Sequence, residues 1–345
     1  MATVDLKWMP ASTSIEGTPQ PADKKKNNAP PQEETTSHHE ATQRQSLSEG
    51  EDEMKPVFLV LLGWCAWAMQ VTAAVAAGPG DLEGIRKEGE LRHLGVPYSR
   101  FVFGNGPTGA SVDLMRAFAR HLGVEYVFVP TSWERMIPDL IGRDLVPANG
   151  TVRMGAAVPV RGDVLLSGVT MLPWRRQVIA FSQPTIRTQV WLLTAVDHPL
   201  TPIRPTGDTN RDIALTRAKV RNLPILGIRD TCFDPTLYGL DRSGAHPRFF
   251  SGSASDLVAA MLQGKAEAVL QDAPDVLVDL EKWSGRLKVI GPVSSLQNMG
   301  AGFRREDRAL RAAFDRFLVQ LQESGELSTI IRRYYPKGVD LNTVN

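Results

Sequence analysis

Short apolar runs alternate with amphipathic helical patterns along most of this chain, and that alternation limits its fold more than any other feature. Leu91 to Val96 reads as a strand, Ser111 to Gly123 as a helix and Val124 to Val129 as the next strand. In the helix, Val112, Met115, Phe118, Ala119 and Leu122 recur at the spacing that lines one face. A further helix opens at Ser132-Trp133-Glu134. The alternation resumes later, with a helix near 213–220, a strand over 224–228 and a helix over 253–263. A strand over 266–270, a helix over 273–283 with Pro274 in its first turn and a strand over 287–290 follow. Strands that alternate with helices predict an α/β fold with a mainly parallel sheet.

A length of 345 residues allows two such domains. The Pro-rich run HPLTPIRPTGDTN marks a composition shift between the two sets. Residues 141–162, with two prolines, four glycines and three arginines, form a long connection, expected as an inserted loop or small hairpin. The charged run RREDRALRAAFDRFL interleaves acids and keeps a Leu310, Ala313, Phe314, Phe317 stripe, so it reads as a surface helix. Lys+Arg 39 against Asp+Glu 38 gives no electrostatic case for nucleic acid. The six histidines are scattered, and no metal site or cofactor is expected.

Residues 1–53 are polar and almost free of large apolar side chains, so they read as a disordered leader or a mis-called start. Met54-Lys55-Pro56 then precedes an apolar run that ends on small residues at Ala74-Val75-Ala76. A positive residue, an apolar core and a small-residue end form a signal peptide over 54–76, and translation would start at Met54. The expected location is the periplasm. Removing that segment removes Cys65 and leaves Cys232 as a lone thiol, expected to be a packed side chain.

One stretch offers chemistry. Val164-Leu165-Leu166 reads as a buried strand, Ser167-Gly168 as a turn, and Pro173 as the first position of a short helix, where its missing N–H has no partner to lose. A hydroxyl at Thr170, free N–H groups and the planar Arg175 guanidinium together suit a carboxylate.

The run SGVTMLPWRRQVIAFS resembles the Ser-x-x-Thr/Ser-x-x-x-x-Arg-x-x-x-x-x-Phe-Ser segment of bacterial periplasmic solute-binding proteins, family 3. The blocks LRHLGVPYSRFVF, TGASVDLMRAFARHLGVEYVFVPTSWERMIPDL and AEAVLQDAPDVLVDLEKW resemble it too. So does the closing block, with x-G-x-x-x-R-x-x-D, an amphipathic helix and Gly-Glu-Leu-x-x-Ile-x-x-x-Tyr. The resemblance implies a two-lobe periplasmic binding protein (type 2) fold: mixed sheets, helices on both faces and a cleft between the lobes. Residues 77–190 with 295–345 would form the first lobe and 191–294 the second.

The resemblance also implies a role, the capture of an amino acid-like zwitterion for an ABC transporter permease by a monomer that is not an enzyme. The implied ligand contacts are Trp133 (stacking), Ser167 and Thr170 (hydroxyls), Arg175 (α-carboxylate), Thr231 (second-lobe contact) and Asp272 (α-ammonium). One of Tyr98, Phe101 and Phe103 would supply an aromatic wall, with Phe101 taken for it. Asp230 stands where the family has Gly, and Cys232 where it has a hydroxyl. Two rivals are a cyclohexadienyl dehydratase-like enzyme, with Glu134 or Asp230 as its acid/base, and a ligand-sensing partner of a receptor.

Overall fold

A glycine in left-handed conformation, Gly89 (φ 79°), closes the first helix and turns the chain into the first strand. The structure, a computed structural model, describes residues 81–104, 107–148 and 151–336, so the leader and the signal peptide expected at 1–76 lie outside the described residues. Along the chain come α1 (Leu82–Glu88), β1 (Glu90–Gly95), α2 (Ala110–Leu122), β2 (Glu125–Pro130) and α3 (Met136–Ile141). A hairpin of β3 (Arg143–Ala148) and β4 (Thr151–Ala157) follows, then β5 (Val164–Leu165), α4 (Pro173–Val178) and β6 (Ala180–Phe181). After β7 (Ile186–Thr188) the second set begins with β8 (Val190–Ala195), α5 (Thr209–Arg217), β9 (Pro224–Gly227) and β10 (His246–Phe249). It continues with α6 (Leu257–Leu262), β11 (Ala268–Asp272), α7 (Ala273–Lys282) and β12 (Leu287–Pro292). The chain then returns through β13 (Gln297–Met299) and β14 (Gly302–Phe303) to α8 (Arg308–Glu323) and α9 (Glu326–Tyr334).

These strands form two mixed five-stranded sheets. The first has the order β2-β1-β5-β14-β6, with β1 parallel to β2 and β5, and β14 antiparallel to β5 and β6. The second has the order β10-β9-β11-β8-β12, with β9 parallel to its neighbours and β8 antiparallel to its own. The sheets are joined by β7 and β13, which pair antiparallel between Gln297 and Thr188 and between Met299 and Ile186. Gln189 braces this crossing. Its amide donates to the Ser294 carbonyl (2.9 Å) and accepts from the Trp191 indole (2.9 Å), while the Ser294 hydroxyl takes the Val190 N–H (2.9 Å).

The core of the first lobe forms where the apolar stripes meet. Leu94, Met136, Ile137, Leu140, Leu165 and Ile179 close over the sheet. The late helix α8 packs on the early helix α2 through Phe118 and Phe314, whose rings meet edge to face at 5.0 Å. Asp163 ties the same regions by charge. Its buried carboxylate accepts from the Arg92 N–H (2.8 Å) and guanidinium (3.1 Å), and Arg304 lies 3.7 Å away while donating to the Gly162 carbonyl (2.8 Å).

Some local expectations shift. Residues 133–135 form a turn before α3 begins. The helix expected over 253–263 divides into a 3-10 turn, Ala254–Asp256, capped by the Ser253 hydroxyl, and then α6. The segment after Cys232 is a 3-10 turn, Pro235–Tyr238. Strand β10, absent from the sequence reading, is an edge strand, and its Pro247 is tolerated there because one side of an edge needs no donor.

Removing the Asp163 carboxylate leaves the Arg92 N–H and guanidinium without their buried acceptor, while Arg304 keeps its ion pair with Asp307 (2.7 Å). Asp163→Ala should therefore cost about 3 kcal/mol of stability, read as a fall in the urea midpoint.

Candidate functional site

The cleft is built first by the turn after β5. Gly168 has φ 65°, and a Cβ there would fall 2.6 Å from the Phe101 ring, so both conformation and space require glycine. The Ser167 hydroxyl is fully buried. It accepts from the Val96 N–H (2.8 Å) and donates to the Leu166 carbonyl (2.8 Å), so it braces the ends of β1 and β5. Thr170 pairs with Met299 of the returning strand. Its buried Oγ1 has no oxygen or nitrogen partner among the described residues and faces the Cys232 thiol, while its carbonyl accepts from Arg175 Nη1 (3.0 Å).

Arg175, on a six-residue helix opened by Pro173, is 3% exposed. Its Nε has no partner among the described residues. Burial pulls its pKa below the ordinary guanidinium range; the groups that resist this are Cys232, Tyr98 and Tyr238, and none is a carboxylate. Trp174 and Trp133 lie beside the guanidinium, 5.3 and 6.0 Å from it. A buried cation with only aromatic faces and one carbonyl around it is poised to take an anion.

The second lobe contributes the ends of β9 and β11. Thr231 closes its own turn, donating to the Ile228 carbonyl (2.8 Å) and accepting from the Phe233 N–H (3.1 Å). Cys232 is buried, and burial pushes its thiol up to about 12, with Asp272 adding to the effect. Asp272 caps α7, one oxygen accepting from the Asp275 N–H (3.2 Å). Its other oxygen accepts from the Tyr98 hydroxyl of the first lobe (2.8 Å). Tyr98 stacks on Phe101 (5.8 Å) and meets Trp133 edge-on (5.2 Å). Burial, then the charge of Asp275, raises the Asp272 pKa well above the usual carboxylate range. Burial lifts Asp275 to about 6 and, with Asp275 beside it, Asp279 to about 7.

Tyr98, Trp133, Arg175, Thr231, Cys232 and Phe233 wall a cavity of about 40 Å³ between the lobes. That is little more than the volume of one water, so a larger guest needs the lobes to part. A wider groove of about 900 Å³, between α5, Leu172 and Ser294, holds no buried unpartnered charge and is not the chemical centre.

Of the residues singled out in the sequence, Trp133, Arg175 and Thr231 stand on the cavity wall, and Thr170 backs Arg175. Ser167 and Asp272 are fully enclosed and engaged within the protein. The structure does not put Phe101 on the wall. It is 1% exposed, behind Tyr98 and against Tyr335, because the Gly168 turn closes over its ring. Phe103 is 41% exposed, and Tyr98 is the aromatic that reaches the cavity. Of the three aromatics, Tyr98 alone carries a hydroxyl, and in the fold that hydroxyl meets Asp272. Cys232 is a buried free thiol, as a packed side chain would be, and it also lies on the wall, at the position where the family has a hydroxyl.

Two mixed sheets joined by two crossing strands, with an enclosed site between them, define a type 2 periplasmic binding protein. Residues 95–149 and 144–337 match bacterial extracellular solute-binding proteins, family 3, and the chain belongs to that family. It is similar to the L-cystine-binding protein TcyJ of Escherichia coli, 24% identical over 292 residues, covering 80% of this chain and 94% of that one. It also resembles the membrane-bound lytic murein transglycosylase F of Desulfosudis oleivorans, 22% identical over 241 residues, 69% of this chain and 46% of the relative. The chain thus spans about half the length of that relative. A mutant of ArgBP from T. maritima has a similar fold, with a TM-score of 0.59 at 23% identity, covering 74% of this chain and 99% of that one. Among the described residues, no helix is long and apolar enough to cross a membrane.

Raised carboxyl pKa values stabilise the fold at low pH, where the group is protonated whether folded or not. That contribution is lost as pH climbs through the folded value. For Asp275 and Asp279 the loss runs from about pH 4 to about pH 7. His93, buried and lowered to about 4, acts in the opposite sense, so the informative quantity is the difference between proteins. Asp279→Asn should lose less melting temperature than the wild type across that range in a buffer series.

Proposed function

We propose that this protein captures an amino acid or similar small carboxylate-bearing solute outside the cytoplasm, by closure of its two lobes, and delivers it to an ABC permease. The observation that carries this reading is Arg175, a buried guanidinium on the cavity wall with no carboxylate acting on it. A ligand carboxylate would supply the missing counter-charge as a two-pronged acceptor. The wall draws on both lobes, Trp133 and Arg175 from the first and Thr231 and Phe233 from the second, so a ligand held there favours the closed arrangement. TcyJ, named for L-cystine, and ArgBP support the same class of solute.

The role is one of binding, without turnover. A dehydratase or a glycosidic-bond-cleaving enzyme needs a carboxyl positioned at the reacting atoms. Glu134 reaches the wall but is exposed and hydrogen-bonded by Ser132, and Asp230 is exposed outside the cavity lining.

The test is a thermal-shift screen with amino acids, short peptides and prephenate. A ligand at a hundredfold excess over its Kd should stabilise by about 2.7 kcal/mol, a shift of roughly 5–10 °C. Arg175→Ala should weaken binding by about a hundredfold or more, read by calorimetry. A screen without any shift, or prephenate consumed, would overturn the reading.

A further inference from the structure

All amino acids share a carboxylate and an ammonium, so the choice among them is made where the cleft receives the side chain. Beyond Arg175, the wall is Trp133 from the first lobe and Ile228, Phe233 and Ala254 from the second. Phe233 and Ala254 are each 3% exposed, and Trp133 and Ile228 are half-buried. Of these four side chains only Trp133 carries a polar atom.

The polar groups beside them are engaged within their own lobe. The Thr231 hydroxyl gives its proton to the Ile228 carbonyl (2.8 Å) and accepts from the Phe233 N–H (3.1 Å). Asp234, next to Phe233, is 3% exposed, and its carboxylate accepts from the Asp230 N–H (3.2 Å), the Thr236 N–H (2.9 Å) and the Thr236 hydroxyl (2.7 Å). Cys232 puts a buried, neutral thiol where the family has a hydroxyl, and such a thiol behaves as a small apolar side chain. The acid on the wall, Glu134, is exposed and accepts from the Ser132 hydroxyl (2.7 Å). None of these hydrogen bonds crosses between the lobes, so they persist when the lobes part to admit a ligand. A charged side chain enclosed here would lose water without gaining a buried partner of opposite sign, whereas an apolar one gains by leaving water.

Resting on the reading of the cleft as an amino acid-capturing site, we propose that Trp133, Ile228, Phe233 and Ala254 form a side-chain subsite that selects amino acids with uncharged, apolar side chains. Arg175 serves the carboxylate common to the class, and these four residues decide which member of it is kept.

Calorimetry on the full chain near neutral pH tests this by comparing L-leucine, L-methionine and L-phenylalanine with L-arginine, L-lysine and L-glutamate. The tightest of the apolar three should bind about tenfold tighter or more than each of the charged three. Ile228→Asp puts an acid at a half-buried wall position, and it should narrow the margin over L-lysine by about tenfold or more. A charged amino acid that matches or exceeds the apolar three in the wild type overturns the subsite and leaves amino acid capture standing. So does a folded Ile228→Asp variant with an unchanged margin; should that variant not fold, the wild-type ranking decides alone. No heat from any of the six also overturns the subsite, and the wider thermal-shift screen then decides whether capture falls with it.

Discussion

A buried guanidinium without a counter-ion destabilises the fold that contains it, because the lost hydration is returned only in part by aromatic faces and one carbonyl. Arg175 is in that position, and much of the first lobe is arranged to hold it there. The Gly168 turn brings Thr170 under the guanidinium, the Thr170–Met299 bridge fixes that carbonyl to the returning strand, and Pro173 starts the helix that carries the arginine. Such an arrangement is retained where the charge is used, and strongly perturbed ionisable groups gather at functional sites.

The second lobe carries a row of acids, none of which is among the groups acting on this cation. Asp272, Asp275 and Asp279 follow one another along the start of α7 and are buried together. Their mutual repulsion and loss of water favour the protonated form, so the closing surface is less charged than its composition suggests. Tyr98 completes the surface by donating a hydrogen bond to Asp272 across the lobes. The crossing strands, braced by Gln189 and Ser294, fix the direction along which the lobes approach.

The architecture was legible because it rests on periodicity. The apolar runs at 91–96 and 124–129 and the stripe of α2 specify elements whatever surrounds them. Arg175 was legible because a guanidinium after a proline-opened turn has few other uses. What escaped depends on three-dimensional neighbours. Strand β10 carries a polar, proline-containing sequence that is a strand only because β9 lies beside it. Choosing Tyr98 over Phe101 required knowing that Gly168 closes over one ring and Asp272 faces the other. Asp272 has the residue type and place of a ligand contact, yet sequence cannot report that its oxygens are occupied.

The order of strands has a consequence for how the molecule is made. The second sheet draws all its strands from one unbroken stretch, between Val190 and Pro292. The first sheet lacks β14 until the chain has passed through the whole of the second lobe and back, and its Phe118 waits for Phe314. Contacts closed over such long loops form slowly, since the entropy of loop closure must be overcome before they contribute. The second lobe can therefore fold early on its own, while the lobe that carries Arg175 is finished last, by the end of the chain.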